Sequence, residues 1–324
     1  MPRALITGIG GQDGSLLAEL LLEEGYEVVG VVRSLDRQYE NLEAIQGRAE
    51  LVELDLGSEQ AVTQLLASTR PREVYNLASI SLVPRSWEAP LEVAAAGATG
   101  VTALLEAIRK TDRQVRFFQA SSSEMFGDPL VSPQDEQTPV SPLTPYGAAK
   151  AYGHFLTRAF RGRYGLHASS GILFNHESPR RPLEFVTRKV AHSAAAISLG
   201  LERELRLGAL DARRDWGSAA DYVRAMWLAV TAEEPGDYVV ATGESHSVEE
   251  LVTVAFAHVG LDWTSYVVGD DELVRGSSDA REHVGDASRA RARLGWKPTV
   301  RFEELVRQMV DADLGRLRAR LAPA

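Results

Sequence analysis

Residues 4–14 read ALITGIGGQDG, an apolar run that enters a loop with glycine at positions 8, 11 and 14. An amphipathic stretch follows at 16–23. Glycines at this spacing, between a strand and a helix, let backbone N–H groups and the helix N-terminus approach a pyrophosphate. A simple glycine turn is the alternative, but it does not account for the flanking strand and helix. The loop residues predicted to bind a dinucleotide are Gly8, Gly11, Gln12, Asp13 and Gly14.

The same alternation of apolar runs and amphipathic stretches continues through the first half of the chain. Strands are predicted near 4–7, 27–32, 51–54, 73–77, 115–120 and 168–174, and helices near 16–23, 100–110, 146–161 and 185–199. This βαβ rhythm is typical of a doubly wound parallel sheet with helices on both faces. We therefore predict an α/β protein, a Rossmann fold with a smaller C-terminal α/β domain that binds the substrate.

Two domains are expected from a chain of 324 residues. Residues 1–177 form the predicted dinucleotide-binding domain, and 209–246 return to it because 237–243 (DYVVATG) resembles another sheet strand. Residues 178–208 and 247–324 form the predicted substrate domain. Residues 128–145 contain five prolines, so a surface loop is predicted there.

Composition narrows the ligand class. The chain has no cysteine and only seven scattered histidines, so no metal site is predicted. A net charge of −10 argues against nucleic acid and favours a small ligand. No apolar run reaches the roughly 18 residues of a membrane span, and the first strand leaves no room for a signal peptide. We expect a cytoplasmic protein without a membrane partner.

The end of the second predicted strand bears on the choice of cofactor. It reads Val31-Val32-Arg33, without the acid that grips the ribose 2′-hydroxyl of NAD. Arg33 therefore favours the 2′-phosphate of NADP, and a solvated surface arginine is the alternative. Asp55 and Leu56 follow the third strand and are candidates for adenine contact, although an exposed aspartate at a strand end is equally consistent with the pattern.

Two further patterns carry chemistry. Tyr146 and Lys150 lie four residues apart in a predicted helix, where a cation next to a phenol favours the phenolate base. The chain has only four lysines against 31 arginines, so a lysine at this position is informative. Ser121-Ser122-Ser123-Glu124 ends a parallel strand, where α/β sheets place their active sites. Together these side chains can oxidise an alcohol and remove a proton beside the resulting carbonyl.

The glycine loop, the serine near the fifth strand and the YxxxK pair resemble the extended short-chain dehydrogenase/reductase family. Longer blocks are similar to its nucleotide-sugar-modifying branch, the GDP-mannose 4,6-dehydratases, over essentially the whole chain. The blocks are GQDGSLLAE from Gly11, YNLA from Tyr75, RFFQASSSEMFG from Arg116, SPLTPYGAAKAYG from Ser141, GILFNHESPRR from Gly171, FVTRKV from Phe185, ARRDWGSAADYVRAMW from Ala212 and LGWKP from Leu294.

The resemblance implies a role for each matching residue. Tyr146 takes the proton of the sugar C4 hydroxyl while hydride passes to NADP⁺, and Lys150 assists it. Ser122 hydrogen-bonds the C4 oxygen in place of the family's threonine. Glu124 removes the C5 proton, water leaves from C6, and hydride returns to C6. The YNLA block implies a cofactor contact at Leu77.

Contacts to the nucleotide sugar are likewise implied by the resemblance. Arg214 and Arg275 are expected to clamp the diphosphate, and Asp279 to contact a ribose. The full set of matching positions is Ser81, Ser123, Asn175, Glu177, Val186, Lys189, Gly208, Arg214, Arg275 and Asp279. From the residues alone, the alternative for Arg214 is an ion pair with Asp211 or Asp215. The expected product is a precursor of deoxysugars such as fucose and rhamnose.

The chain also departs from the family. Ile80 replaces a glutamine close to the sugar, and the paired arginines after the second strand reduce to Arg33-Ser34. In relatives that loop reaches a neighbouring subunit, so a homo-oligomer is expected, a dimer with a tetramer as the alternative. Alternatives for the function are the same chemistry on another GDP-sugar such as a GDP-heptose, and a catalytically silent nucleotide sensor. Glu124 argues against a simple reductase or 4-epimerase, which needs no base at C5.

Overall fold

The protein is described by a computed structural model that covers residues 1–270, 273 and 283–321. Its largest sheet has seven strands in the order β11-β6-β5-β4-β1-β2-β3, and all neighbours are parallel. These strands are β1 (Arg3–Thr7), β2 (Glu27–Val32), β3 (Glu50–Glu53), β4 (Glu73–Asn76), β5 (Arg116–Ser122), β6 (Ala168–Leu173) and β11 (Asp237–Val240). The order reverses between β1 and β4, which is the switch point where such sheets bind ligands.

The remaining elements are shorter strands and the helices. Three two-stranded pairs are formed by β7 (Asn175–Glu177) with β10 (Trp216–Ser218), β9 (Arg213–Arg214) with β12 (His246–Ser247), and β8 (Leu205–Leu207) with β13 (Val267–Gly269). The helices are α1 (Gln12–Glu23), α2 (Glu59–Thr69), α3 (Val83–Glu88), α4 (Pro90–Ala94), α5 (Gly100–Thr111), α6 (Pro145–Tyr164), α7 (Val186–Ser198), α8 (Ala219–Thr231), α9 (Val248–His258), α10 (Ser288–Leu294) and α11 (Phe302–Leu321).

Apolar side chains cover both faces of the large sheet. One buried cluster joins α1 and α8 to the sheet through residues such as Leu17, Tyr75 and Met226. The opposite cluster joins α2 and α5 to it through residues such as Leu66 and Leu104. Burial on both faces explains why the strands read as continuous apolar runs. The prediction of a doubly wound parallel sheet is therefore confirmed.

A third buried cluster lies outside the seven-stranded sheet. Side chains of α7, α9 and α11 dominate it, with Phe256 and Met309 among the most buried. The stretch after residue 236 does supply a sheet strand, since β11 pairs with β6. The division into two domains with the boundaries given above remains a prediction.

One helical stretch, Pro90–Thr111, is long and apolar enough by length and composition to cross a membrane. Within it, Val101, Leu105 and Ile108 are buried against α2 and the sheet. The stretch also carries Arg109, which is paired with Glu106 at 2.7 Å. These contacts are those of a core helix, so the apolar composition is accounted for by packing within the protein.

Candidate active site

The candidate site lies at the carboxyl ends of β1, β4 and β5, next to the switch point. β5 ends at Ser122, and a single 3-10 turn, Ser123–Met125, follows it directly. Helix α6 begins at this end of the sheet, with Pro145 in its first turn after the cap residue Thr144, and its last turns reach Ala168 at the start of β6. A Cβ added at Gly147 would lie 2.5 Å from the Glu124 carbonyl oxygen. Glycine at that position therefore lets α6 press the Tyr146 turn against Glu124.

The glycine loop is held tightly by its surroundings. Gly8 has a φ of +71°, and its Cβ would lie 3.0 Å from the backbone of Ala78 after β4. At Gly14 a Cβ would lie 2.3 Å from the Gly8 carbonyl oxygen. Gly11 is the N-cap of α1 and supplies no side chain to its N–H groups. The loop is thus a compact backbone surface ending at an uncapped helix N-terminus, the arrangement that suits a pyrophosphate.

The side chains of Gln12 and Asp13 contact residues 175–178 (NHES), which contain β7. Gln12 Nε2 donates to the His176 carbonyl oxygen at 3.0 Å, and its Oε1 accepts from Ser178 at 2.8 Å. Asp13 Oδ2 lies 2.9 Å from His176 Nε2. Both side chains therefore connect the first turn of α1 to β7 and the residue after it, and the predicted cofactor contacts of Gln12 and Asp13 stay predictions.

His176 is held as an imidazolium by its two partners. Nδ1 lies 2.7 Å from the Phe174 carbonyl oxygen and Nε2 lies against the Asp13 carboxylate, so both ring nitrogens face acceptors and must donate. Burial lowers the pKa of His176, but the charge and hydrogen bond of Asp13 outweigh it and raise the pKa overall. The ring also stacks on Tyr222 at 4.5 Å.

The interaction with His176 also changes the pKa of Asp13. Burial raises its pKa, but the charge and hydrogen bond of His176 lower the pKa to about 2. A carboxylate in the first turn of α1 would otherwise repel a phosphate. The His176 charge balances it, and the glycine loop remains suited to an anion.

Tyr146, Ser122 and Glu124 form the reactive group of the site. Tyr146 and Ser122 are both buried, and their side chains share a hydrogen bond. Burial raises the pKa of Tyr146 to about 12, the Ser122 hydrogen bond opposes this, and the charge of Glu124 adds to it. Ser122 Oγ also accepts from the Glu124 N–H at 3.2 Å. The structure thus brings the predicted phenol, hydroxyl and carboxylate together.

Lys150 lies one helical turn beyond Tyr146. Its Nζ donates to the Ala120 carbonyl oxygen at 2.8 Å and lies 5.6 Å from the centroid of the Tyr146 ring. Burial lowers the pKa of Lys150 to about 8, against the opposing charge of Asp13. Lys150 is thus placed near the Tyr146 ring, and its role in favouring the Tyr146 phenolate stays a prediction.

The other predicted cofactor residues lie along the same edge of the sheet. Arg33 is exposed directly after β2. Asp55 is exposed, and its Oδ1 accepts from the Gly57 N–H at 2.9 Å in the turn before α2. Leu56 packs near Gly100, and the Leu77 N–H donates to Thr7 Oγ1 at 3.1 Å. Their contacts with a cofactor stay predictions.

The predicted substrate residues differ in burial: Glu177 and Ser123 are buried, and Ser81 is exposed. Glu177 is 2% exposed, accepts from Thr187 Oγ1 at 2.6 Å and pairs with Arg181 Nε at 3.2 Å. Its carboxylate is therefore engaged within the chain. Ser123 is buried in the turn after β5, whereas Ser81 is exposed after β4.

The remaining predicted substrate residues lie around α7 and the short strands. Asn175 begins β7 and Val186 begins α7. Lys189 Nζ donates to the Arg206 carbonyl oxygen at 2.6 Å, next to β8 and Gly208. Arg214 lies in β9. The carboxylate of Asp215, one of its two suggested ion-pair partners, accepts hydrogen bonds from Thr242, Gly243 and Gly285. Arg275 and Asp279 lie outside the described residues.

Two charged residues of the NHESPRR block (175–181), His176 and Arg181, are not among the predicted site residues. Arg181 lies with its Cζ 3.7 Å from the centroid of the Phe185 ring, and its charge lowers the pKa of both Tyr146 and Asp13. His176 carries the imidazolium described above. Both residues stand inside a block quoted for the resemblance, and only their position near α1 distinguishes them from surface charges.

Within residues 1–270, 273 and 283–321, no group of three or more His, Asp or Glu side chains is placed to hold a metal ion. By contrast, the residues present fit a dinucleotide. A Cβ at Gly8 or Gly14 would collide with neighbouring backbone, so glycine is what permits this compact loop, and Lys150 of the Tyr146–Lys150 pair contacts Ala120 near the end of β5.

Comparison with known proteins gives a match along the chain. A family model described as GDP-mannose 4,6 dehydratase matches residues 5–309. GDP-mannose 4,6 dehydratase 1 of Arabidopsis thaliana is 47% identical over 96% of this chain and 89% of its own. The Homo sapiens GDP-mannose 4,6 dehydratase is 43% identical over 97% of this chain and 92% of its own.

Solved structures share the fold. The UDP-glucose 4-epimerase of Thermotoga maritima with UDP-glucose has a TM-score of 0.86 and 26% identity, covering 99% of this chain and 100% of its own. The Thermus thermophilus UDP-glucose 4-epimerase, solved in complex with NAD, has a TM-score of 0.83 and 26% identity. The match covers 97% of this chain and 99% of the epimerase chain.

Proposed function

The chain belongs to the GDP-mannose 4,6-dehydratase family, and from this premise we propose that it is a hydro-lyase that converts GDP-mannose to GDP-4-keto-6-deoxymannose. The observation that carries the proposal is the grouping of Ser122, Tyr146 and Glu124 at the carboxyl end of β5. Oxidation of an alcohol needs the first two, and elimination of water needs a further base.

In the proposed reaction, Tyr146 accepts the proton of the C4 hydroxyl while Ser122 donates a hydrogen bond to the C4 oxygen. The phenol has a pKa of about 12, so it needs a positive charge beside it to act as a base at neutral pH. Lys150 supplies such a charge from the next turn of α6. A bound nicotinamide supplies the hydride acceptor for C4 and, once reduced, the hydride donor for C6.

Glu124 separates this chemistry from simple alcohol oxidation. A carbonyl at C4 acidifies the C5 proton, and the Glu124 carboxylate is the base that we assign to remove it. Its partly buried position next to Tyr146 lets one sugar ring reach both groups. The proton on Glu124 then assists departure of the C6 hydroxyl as water. Hydride would then return to C6 and a proton to C5. The proton that Tyr146 took from the C4 hydroxyl balances this step, so the cycle needs no external reductant.

NADP is the nicotinamide cofactor that we propose. Arg33 is exposed immediately after β2, where a 2′-phosphate would lie, and no acid occupies that position. A ligand that binds only the folded state raises the melting temperature by an amount that grows with the logarithm of its concentration divided by its Kd, so the tighter ligand gives the larger shift at equal concentration. We expect NADP to raise it more than NAD at equal concentration, and Arg33→Ala to abolish the difference. If NADP and NAD raise the melting temperature of the unmodified protein equally, the proposed preference for NADP is wrong.

The substrate is tested by incubating the purified protein with GDP-mannose and NADP and following the loss of one water by mass spectrometry. We propose that Arg214 and Arg275 clamp the diphosphate and that Ser81, Ser123, Asn175, Glu177, Val186, Lys189, Gly208 and Asp279 complete the binding site. If the protein turns over a GDP-heptose but not GDP-mannose, the substrate assignment is wrong and the proposed mechanism still applies. A catalytically silent sensor predicts turnover of neither.

We also propose a cytoplasmic homodimer. Four apolar side chains of α3, α4 and α6 are exposed, Trp87 (64%), Leu91 (85%), Tyr152 (46%) and Phe155 (48%). The three helices contact one another. We propose that these side chains share one surface, which we call the α6 face. An apolar surface of this kind is typical of an interface. A chain without cysteine is consistent with a reducing compartment.

A further inference from the structure

A row of buried polar side chains crosses the middle of the large sheet. In the strand register, Thr7 of β1 lies beside Asn76 of β4, and Asn76 lies beside Gln119 of β5. Their exposed fractions are 0%, 2% and 2%. The preceding positions in these strands, Ile6, Tyr75 and Phe118, are apolar, and the next position across the sheet is the buried Ser170 of β6, which pairs with Gln119. Burying amides without partners is costly. A polar row at this depth therefore calls for an explanation beyond packing.

Hydrogen bonds fix the direction of every group in the row. Thr7 Oγ1 accepts from the N–H groups of Leu77 and Ala78, so its proton is donated to Asn76 Oδ1 at 2.7 Å. Asn76 Nδ2 then donates to Gln119 Oε1 at 2.8 Å. This interaction determines which way the Gln119 amide faces.

The row ends at the atom that holds Lys150. With its oxygen taken by Asn76, Gln119 presents Nε2 to the Ala120 carbonyl oxygen at 3.0 Å. The same oxygen accepts from Lys150 Nζ at 2.8 Å. Among the described residues, this carbonyl is the one hydrogen-bond acceptor of the Lys150 ammonium. A Cβ added at Gly153, one turn further along α6, would lie 3.3 Å from Gln119 Nε2, so the amide sits directly under the helix.

We propose that Gln119 is a positioning residue for Lys150. Held by Asn76 and Thr7, it fixes the Ala120 carbonyl and presents only donors to the ammonium. Lys150 therefore has no competing acceptor beneath α6 and keeps its charge toward Tyr146. A reversed amide would offer Gln119 Oε1 to Lys150 and draw the ammonium away from the phenol. The position of Lys150 follows from these contacts alone, whereas the effect of Gln119 on catalysis rests on the proposed function.

The first experiment follows Lys150 itself. The chain has only four lysines, so protein labelled with ¹³C at the lysine ε-carbon gives four signals, and Lys150→Arg assigns the one of interest. We expect this signal to titrate near the pKa of about 8 set by burial, with Asp13 and the Tyr146 phenol as the ionisable groups that face it. Gln119→Glu places acceptor oxygens below Lys150 and should raise this pKa by about one unit.

A second variant and a matched control separate positioning from folding. Asn76→Asp leaves Lys150 and Gln119 intact but offers Gln119 only acceptors, so the amide reverses and the Lys150 pKa should again rise. Gln114→Glu makes the same change of charge at an exposed position before β5 and should leave the signal unchanged. A lower melting temperature in both test variants, with an unshifted Lys150 signal, would show a structural role and overturn the proposal.

The second experiment measures catalysis in the same variants. With GDP-mannose as substrate, we expect Gln119→Glu and Asn76→Asp to lower kcat by about 10-fold to 100-fold while KM stays within about threefold, because only proton transfer is affected. A shifted Lys150 signal with unchanged kcat also overturns the positioning role. Absence of turnover in the unmodified protein would instead contradict the proposed function and leave the titration result intact.

Discussion

Glu124 lies two residues after Ser122 and close enough to Tyr146 for its charge to raise the pKa of the phenol. Two acidic functions thus share one small site. A carboxyl group ordinarily loses its proton at a far lower pH than a phenol does, and burial raises the pKa of the Tyr146 phenol further. The carboxylate is ionised at neutral pH in solution, whereas the phenol keeps its proton until a cation favours its release. The residue-scale chemistry depends on this difference.

A change confined to Glu124 tests that separation. In Glu124→Gln, Tyr146, Ser122 and Lys150 are intact, so oxidation at C4 should continue and reduced cofactor should accumulate. Removal of the C5 proton should fall by at least about 100-fold, the usual contribution of a general base. Single-turnover absorbance of the reduced nicotinamide, with mass analysis of the sugar, measures both steps. Normal dehydration by the variant would exclude Glu124 as the base.

At the scale of elements, α6 carries the phenol and the ammonium, and its height above β5 is set at Gly147. An added methyl group there meets the Glu124 carbonyl oxygen at 2.5 Å. We expect Gly147→Ala to cost about 1–3 kcal/mol of unfolding free energy and to reduce activity, because the Tyr146 turn must move. Denaturant unfolding and kcat measure the two effects.

The same helix offers a matched control. Gly162 also lies in α6, is exposed, and has no atom within 4 Å of an added Cβ. Gly162→Ala should therefore stabilise the protein by about 0.5–1 kcal/mol and leave activity unchanged. If both substitutions behave alike, the close approach of α6 to Glu124 does not govern the site.

The Asp13–His176 pair joins α1 to β7 and makes their contact depend on pH. The Asp13 pKa is lowered from 3.8 to about 2, so its contribution is present above pH 3.8 and is lost as pH falls through about 2. The His176 pKa is raised, so its contribution is present below 6.5 and is lost as pH rises through the raised value. Stabilisation by the pair is therefore greatest between about pH 4 and 6.5.

Asp13→Asn tests this dependence. The shift at Asp13 corresponds to about 2 kcal/mol, so the variant should lose about that much stability near pH 5 and progressively less as pH rises above 6.5. The exposed Asp36→Asn serves as a control for loss of charge. A stability difference that does not change with pH would rule out an ionic contact between α1 and β7.

Most elements were predictable because their signals are local. The predicted strand at 27–32 matches β2, and the predicted helix at 146–161 lies within α6. The sequence analysis did not identify α2 or the short helices α3 and α4. Each of these helices has only one start signal in the sequence. Ser58 caps the Ala61 N–H at the start of α2, and a proline stands in the first turn of α3 and of α4.

At the scale of the whole molecule, the α6 face predicts self-association. Phe155→Glu places a charge on this face and should convert a dimer to a monomer, because an unpaired charge is costly to bury at an interface. Light scattering after size-exclusion chromatography measures the mass. Leu201→Glu is the control, since Leu201 is about equally exposed, at 47% against 48%, and lies after α7. A monomer before substitution would refute the dimer.

The sequence by itself determined the fold class, the glycine loop, the YxxxK pair and the family resemblance. Each of these is a pattern of neighbours along the chain, set by strand and helix periodicity or by the need for glycine in a close turn. The tertiary structure decided which distant groups meet. Asp13 reaches His176 across 163 positions of sequence, and Lys150 reaches Ala120 across 30. Such pairings arise from strand order and helix packing, because parallel strands bring their carboxyl ends together whatever their separation along the chain.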